Sequence, residues 1–265
     1  MIQPVILCGD SRVLRLPGIG DEPIVVCDEG HLFMIDAQLR RAGARAKGIL
    51  LEPVGRGTAP ALTLAAVHAL SDDDPVLLAM PSDHLSVPPE AFQRAVQRGA
   101  ALAAGPHIVV FGVPPTAPEP RYGCIRADGD YVDAFVEKTD APTARQYLES
   151  GQYLWSAGIF AVRASVWIDA LGALRPDILK ACERAWREGR RDGAFLRVAE
   201  RPFRECPSGS IEYAVMERIG QGAGAPEARV MRLADDMRFE DSYDRTAPAA
   251  NEADGPNEAP AAATR

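Results

Sequence analysis

The stretch that decides the fold is Ile49-Leu50-Leu51-Glu52-Pro53-Val54-Gly55-Arg56-Gly57-Thr58-Ala59-Pro60-Ala61. An aliphatic block runs into a Gly/Pro loop, and the chain then continues from Thr58 to Leu70 in residues rich in Ala and Leu. A flush apolar block with no in/out alternation is how a strand covered on both faces of a parallel sheet reads. The loop delivers that strand into a helix, with Thr58 placed as its cap. Such a loop offers backbone N–H groups at a helix N-terminus to an anion or a base edge. A plain strand-to-helix turn accounts for the spacing equally well.

Outward from this unit the same pattern recurs. Val5–Leu7, Ile24–Cys27, Val76–Met80 and Ile108–Gly112 are further strand-sized apolar blocks. Helical patterns lie between them: His31–Ala42, with Leu32, Ile35 and Leu39 on one stripe, and Pro89–Ala104, entered through Pro88-Pro89-Glu90. The alternation predicts an α/β fold, a Rossmann-like, mixed and mostly parallel sheet flanked by helices. Ligands bind beyond the carboxyl ends of such strands, so chemistry is expected in the loops after Leu7, Leu51 and Met80.

After Gly112 the character changes. Tyr122–Arg126, a turn at Asp128-Gly129-Asp130, and Tyr131–Lys138 read as paired antiparallel strands. Asp140-Ala141-Pro142 opens a helix that Gly151 closes, Leu154–Val162 is a strand, a helix starts at Ser165, and Ser210–Ile219 is a further helix. From about Arg245 the chain turns to Ala, Pro, Asn and Glu. This predicts one domain over 1–244 and a disordered tail over 245–265.

Composition narrows the function classes. The 265 residues carry 29 basic and 37 acidic side chains, a net charge of -8, which argues against a nucleic-acid surface. Five scattered cysteines lack zinc or disulfide-framework spacing and fit a reducing cytoplasm. No apolar run approaches the roughly 18 residues of a membrane span. Arg184, Arg187, Arg190 and Arg191 among Glu183, Glu188 and Asp192 read as one solvated helix face, and Asp72-Asp73-Asp74 as a solvated turn. Pro81-Ser82-Asp83-His84 follows a buried strand, and Asp83 is suited to a Mg²⁺ that bridges phosphates.

Several ordered blocks now carry a resemblance. They are Ile24-Val25-Val26-Cys27-Asp28-Glu29-Gly30-His31, Glu52 to Ala61, Pro81 to His84, Phe135-Val136-Glu137-Lys138, Tyr153-Leu154-Trp155-Ser156-Ala157-Gly158-Ile159-Phe160, and Ser210-Ile211-Glu212-Tyr213-Ala214-Val215-Met216-Glu217. Over roughly residues 23 to 220 the chain resembles the bacterial mannose-1-phosphate guanylyltransferases, within the sugar nucleotidyltransferases. The resemblance implies a nucleotide-diphospho-sugar transferase fold and the conversion of GTP and mannose 1-phosphate to GDP-mannose and pyrophosphate, with Mg²⁺. It implies a nucleotide site at Gly9, Glu52, Pro53, Gly55, Arg56, Thr58 and Ala59, and a sugar-phosphate site at Gly123, Glu137, Lys138 and Ser156. Arg12, Asp83 and Lys138 would be the catalytic groups and Asp83 the metal ligand. A homodimer or a partner protein is a further implication.

The departures from that family open an alternative. The family's glycine-rich first loop reads here Leu7-Cys8-Gly9-Asp10-Ser11-Arg12-Val13-Leu14-Arg15-Leu16-Pro17, with one glycine of three and no loop lysine. Gly57 stands for the family's Asn, Ser156 for the Asn of its WNSG, and Phe239 where its second metal-ligating Asp belongs. The alternative is a catalytically inactive homologue that binds sugar or nucleotide as a regulatory or assembly partner. The dozen residues between the first two strands are also too few for a covering helix, which predicts a bare sheet face.

Overall fold

The computed structural model describes residues 1–9, 22–82, 89–219 and 227–233. Its first half alternates strands and helices: β1 (Ile2–Leu7), β2 (Ile24–Asp28), α1 (Leu32–Arg41), β3 (Gly48–Glu52), α2 (Thr58–Ala69), β4 (Val76–Pro81), α3 (Pro89–Ala103) and β5 (Ile108–Val113). β3, β2, β1 and β4 lie side by side and parallel, with Val5 opposite Ile24 and Ala79, and Val25 opposite Ile49. Their carboxyl ends therefore share one rim.

The aliphatic blocks are flush because both faces are covered. Val5, Leu7, Ile24, Val26 and Leu50 pack into one cluster with α2, α5 (Ala164–Leu174) and α6 (Pro176–Arg187). Across this layer Trp167 Nε1 donates to Thr63 Oγ1 at 3.0 Å, tying α5 to α2. On the other face Leu78 and Met80 meet α3, and Ile6, Cys8, Val25 and Cys27 meet Leu32, Ile35 and Leu39 of α1. The expected bare face is thus corrected, because α1, which follows β2, lies over it.

The second half is built differently. β6 (Cys124–Asp128), β7 (Tyr131–Val136) and β8 (Tyr153–Arg163) are antiparallel, and α4 (Ala141–Ser150) stands between β7 and β8. β8 is long enough to pair with β6 near Trp155, with β4 near Ala161, and with β5 along its other edge. β11 (Ala228–Arg232) runs parallel to β5 and touches β7 at Arg229–Tyr131. The pairings β5–β11–β7–β6–β8–β5 thus return to their start. At the far side β9 (Arg190–Asp192) and β10 (Phe195–Arg197) form a hairpin that pairs with β3, and the short α7 (Glu200–Arg204) follows it.

Three local expectations change. The arginine cluster is not one helix face: Arg184 and Arg187 belong to α6, whereas Arg190 and Arg191 lie on β9 beyond Gly189. Asp74 is no idle turn residue, since its carboxylate accepts from the Ser165 N–H at 2.9 Å and the Ser165 hydroxyl at 2.7 Å, at the start of α5. The helix expected over Ser210–Ile219 is a four-residue α8 (Ile211–Ala214) followed by a 3-10 turn at Met216–Arg218. Residues 245–265 lie outside the described residues.

Candidate active site

The rim of the parallel strands presents Gly9, Asp28, Glu52 and Ser82 in adjacent positions: Asp28 pairs in register with Glu52, and the Ser82 N–H donates to the Leu7 carbonyl at 3.3 Å. Glu52 ends β3 with its side chain inside the protein, 3% exposed, and its Oε1 has no hydrogen-bond partner. Burial, reinforced by Asp28 and then Cys206, pushes this carboxyl up to about 8. A buried polar atom left unpaired is costly, and this oxygen is enclosed by protein without a partner. Beside it Gly55 is open, since a Cβ there would meet nothing within 4 Å.

The loop after Glu52 is held by a distant segment. The Gly209 N–H donates to the Arg56 carbonyl at 3.0 Å, the Ala59 N–H donates to the Gly209 carbonyl at 3.1 Å, and the Arg56 guanidinium donates to the Arg204 carbonyl. Thr58 Oγ1 accepts from the Ile211 N–H at 2.9 Å. Gly57 makes this approach possible: it has φ 86° and ψ 177°, and a Cβ there would stand 2.5 Å from the Gly209 carbonyl oxygen. Only glycine adopts such a backbone without strain. The expected cap is thereby corrected. Gly57 is the N-cap of α2 and no side chain caps it, because Thr58 is already in the helix and its hydroxyl serves Ile211.

The same segment reaches the other cluster of expected residues. Glu137, one residue past β7, donates its N–H to Glu217 Oε1 at 3.0 Å. Its side chain lies against Gly123, where a Cβ would sit 3.2 Å from Glu137 Oε2 and 2.8 Å from the Phe135 ring. Gly123 accepts from the Ser156 N–H at 2.7 Å, and Ser156 Oγ accepts from the Gly158 N–H at 3.2 Å. Gly158 in turn faces Pro81 at the end of β4. Gly123, Glu137 and Ser156 are therefore neighbours, next to the rim. Burial and then Glu212 push Glu137 up to about 8, against the pull of Lys138, and Glu217 adds to the rise. Burial also raises Glu212. Lys138 is exposed.

The structure thus brings together Glu52, Pro53, Gly55, Arg56, Thr58 and Ala59 on one side and Gly123, Glu137, Lys138 and Ser156 on the other. Gly9 ends the described part of its loop with φ 50°. Arg12 and Asp83 lie outside the described residues, as does Phe239. Glu212, Glu217 and the 204–211 segment carry no role in the sequence reading, although Ser210–Glu217 is one of the recognised blocks. Among the described residues no group of three or more His, Cys, Asp or Glu side chains is placed to hold a metal.

The fold and this two-part rim define the chain as a nucleotidyltransferase. The Nucleotidyl transferase family matches residues 11–201, and the chain belongs to that family. Among its relatives it is 45% identical over 215 residues to the Xanthan biosynthesis protein XanB of Xanthomonas campestris pv. campestris, covering 79% of this chain and 46% of that protein. It is 44% identical over 226 residues to the Mannose-1-phosphate guanylyltransferase RfbM of Salmonella typhimurium, covering 82% and 47%. The chain thus spans about half the length of the curated relatives it matches. A crystal structure titled mannose-6-phosphate isomerase, from Helicobacter pylori, superposes with a TM-score of 0.79 at 27% identity, over 91% of this chain and 99% of that one. Nucleotidyltransferases of this family generally use a divalent metal. No helix among the described residues is long and apolar enough to cross a membrane.

Proposed function

We propose that the chain is a mannose-1-phosphate guanylyltransferase. A phosphate oxygen of mannose 1-phosphate attacks the α-phosphorus of GTP in line. A new P–O bond forms, the bond to the β-phosphate oxygen breaks, and GDP-mannose and pyrophosphate leave. Glu52 carries this reading. Its carboxylate oxygen has no partner inside the protein and, once the loop that carries the open Gly55 shifts to uncover it, is the acceptor that guanine requires. Guanine offers a ring N–H and an amino group on one edge, and adenine offers no such pair. Accepting them favours the ionised form, which offsets the burial that holds Glu52 protonated.

Across the rim Glu137 takes the sugar hydroxyls, Gly123 lies against the sugar, Lys138 meets the sugar phosphate, and Ser156 lines the sugar's other side. Mg²⁺ would screen the triphosphate, with Asp83 as its ligand and Arg12 as a cationic partner. The buried free cysteines fit a reducing cytosol.

The test is pyrophosphate release with Mg²⁺, mannose 1-phosphate and each of the four nucleoside triphosphates, beside an Asp83→Ala control. Turnover with GTP that the control lacks is the expected result. Well-folded protein that binds both substrates without turnover would establish the non-catalytic homologue instead.

A further inference from the structure

We propose that residues 204–217 form a strap that couples the two half-sites, with Glu217 as the positioning residue at its sugar end. The inference rests on the guanylyltransferase reading. At one end the strap is bonded to the nucleotide loop at four places: Arg204 to the Arg56 guanidinium, Gly209 to the backbones of Arg56 and Ala59, and Ile211 to Thr58 Oγ1. At the other end Glu217 Oε1 takes the N–H of Glu137, the residue through which β7 enters the sugar site. Holding that N–H fixes the direction in which Glu137 and Lys138 leave the sheet.

The piece between the ends is stiff. Ser210 Oγ accepts from the Tyr213 N–H at 3.2 Å and so caps α8, and Ile211, Ala214, Val215 and Met216 are all buried in the main core cluster. A buried, close-packed element transmits a displacement instead of absorbing it. The Gly57 backbone lies against Gly209 with no room for a Cβ, so the nucleotide loop cannot close on a base without moving the strap. That motion arrives at Glu137. Nucleotide binding and sugar-phosphate binding should therefore each strengthen the other, by the same factor, as linkage demands.

The experiment is titration calorimetry of the full chain with Mg²⁺, using mannose 1-phosphate and guanosine 5′-(α,β-methylene)triphosphate, which cannot react. Each ligand is titrated alone and in the presence of the other. Wild-type protein should show mutual tightening of about tenfold, within the usual range of coupling between sites. Glu217→Ala should weaken mannose 1-phosphate about tenfold and reduce the tightening to less than about twofold, with the nucleotide alone unchanged within about twofold. Glu217→Gln keeps a carbonyl acceptor for the Glu137 N–H and should restore both. Thr58→Val removes the one side-chain hydroxyl among the four bonds at the opposite end and so loosens the strap there. It should lower the tightening while mannose 1-phosphate alone keeps its wild-type affinity, a result that a purely local role for Glu217 does not produce.

Should Glu217→Ala melt below the assay temperature, Thr58→Val decides. Equal weakening of both ligands by Glu217→Ala, or wild-type tightening in Thr58→Val, overturns the strap. Wild-type protein that binds both ligands with no mutual effect overturns the coupling alone. Failure to bind either ligand overturns the guanylyltransferase reading and the strap with it.

Discussion

The two sides of the rim solve opposite problems. On the nucleotide side most polar groups of the loop are already spent inside the protein: the Ala59 N–H, Thr58 Oγ1 and the Arg56 carbonyl all bond to the strap. Recognition is left to the buried carboxylate of Glu52 and to open backbone at Gly55. On the sugar side charge is concentrated, with Glu137, Glu212, Glu217 and Lys138 in one corner. On the proposed assignment, a nearly neutral base would be read by shape and one acceptor, whereas a hydroxylated, phosphorylated sugar would be met by several ionisable groups.

The harshest way to break the comparison is at its junction. Gly57→Ala puts a Cβ 2.5 Å from the Gly209 carbonyl and an L side chain at φ 86°. It should cost about 3 kcal/mol of stability and detach the nucleotide loop, lowering the melting temperature and abolishing the thermal shift with GTP. A wild-type melt would mean that the strap does not press on this loop.

Next comes Glu52. Its carboxyl, like that of Glu137, is held at about 8, above the ordinary 4.5. The folded protein keeps protons that the unfolded chain releases between those values. The associated stability is full below about pH 4.5 and is lost as pH rises through about 8. The melting temperature should fall from pH 5 to pH 8, and Glu52→Gln should flatten that fall while weakening GTP by at least about tenfold. An unaltered pH slope would remove Glu52 from the account.

On the sugar side, Gly123→Ala places a Cβ 2.8 Å from Phe135 and 3.2 Å from Glu137 Oε2. Mannose 1-phosphate should weaken about tenfold at a stability cost of about 1 kcal/mol, with GTP binding unaffected. Equal loss of both ligands would erase the division between the sides. The smallest effect is reserved for a residue remote from both. Asp74→Ala strips the Ser165 bonds at the start of α5 and should cost about 1 kcal/mol by denaturant titration, leaving both ligand affinities alone.

The sequence makes the parallel half plain because its strands carry flush aliphatic blocks, α1 has the stripe Leu32, Ile35 and Leu39, and α2 is apolar nearly all round. It hides β9, β10 and β11. Arg190-Arg191-Asp192 has no apolar residue to mark a strand, and Ala228–Arg232 is short and bounded by charges. The site divides in the same way. Glu52 and Glu137 are legible through the blocks that contain them, whereas the bonds of Glu217 to Glu137 and of Ile211 to Thr58 span 80 and 153 residues and leave no periodic trace. Thr58 shows how a tertiary partner overrides a local rule: the hydroxyl suited to a cap is claimed by a backbone N–H from far along the chain. Asp74 shows the reverse, an acidic run in which one member accepts from Ser165 at the start of a helix 91 residues further on.

The return of the β5–β11–β7–β6–β8 pairings to their start has one last consequence. Among the described residues the sheet ends in an unpaired border only at β9, whose three residues are all exposed and all charged. Unpaired strand borders are templates for aggregation, and short, charged ones are poor templates. Among the described residues the outermost strand of this very long sheet is three residues of backbone ladder, guarded by two arginines and an aspartate.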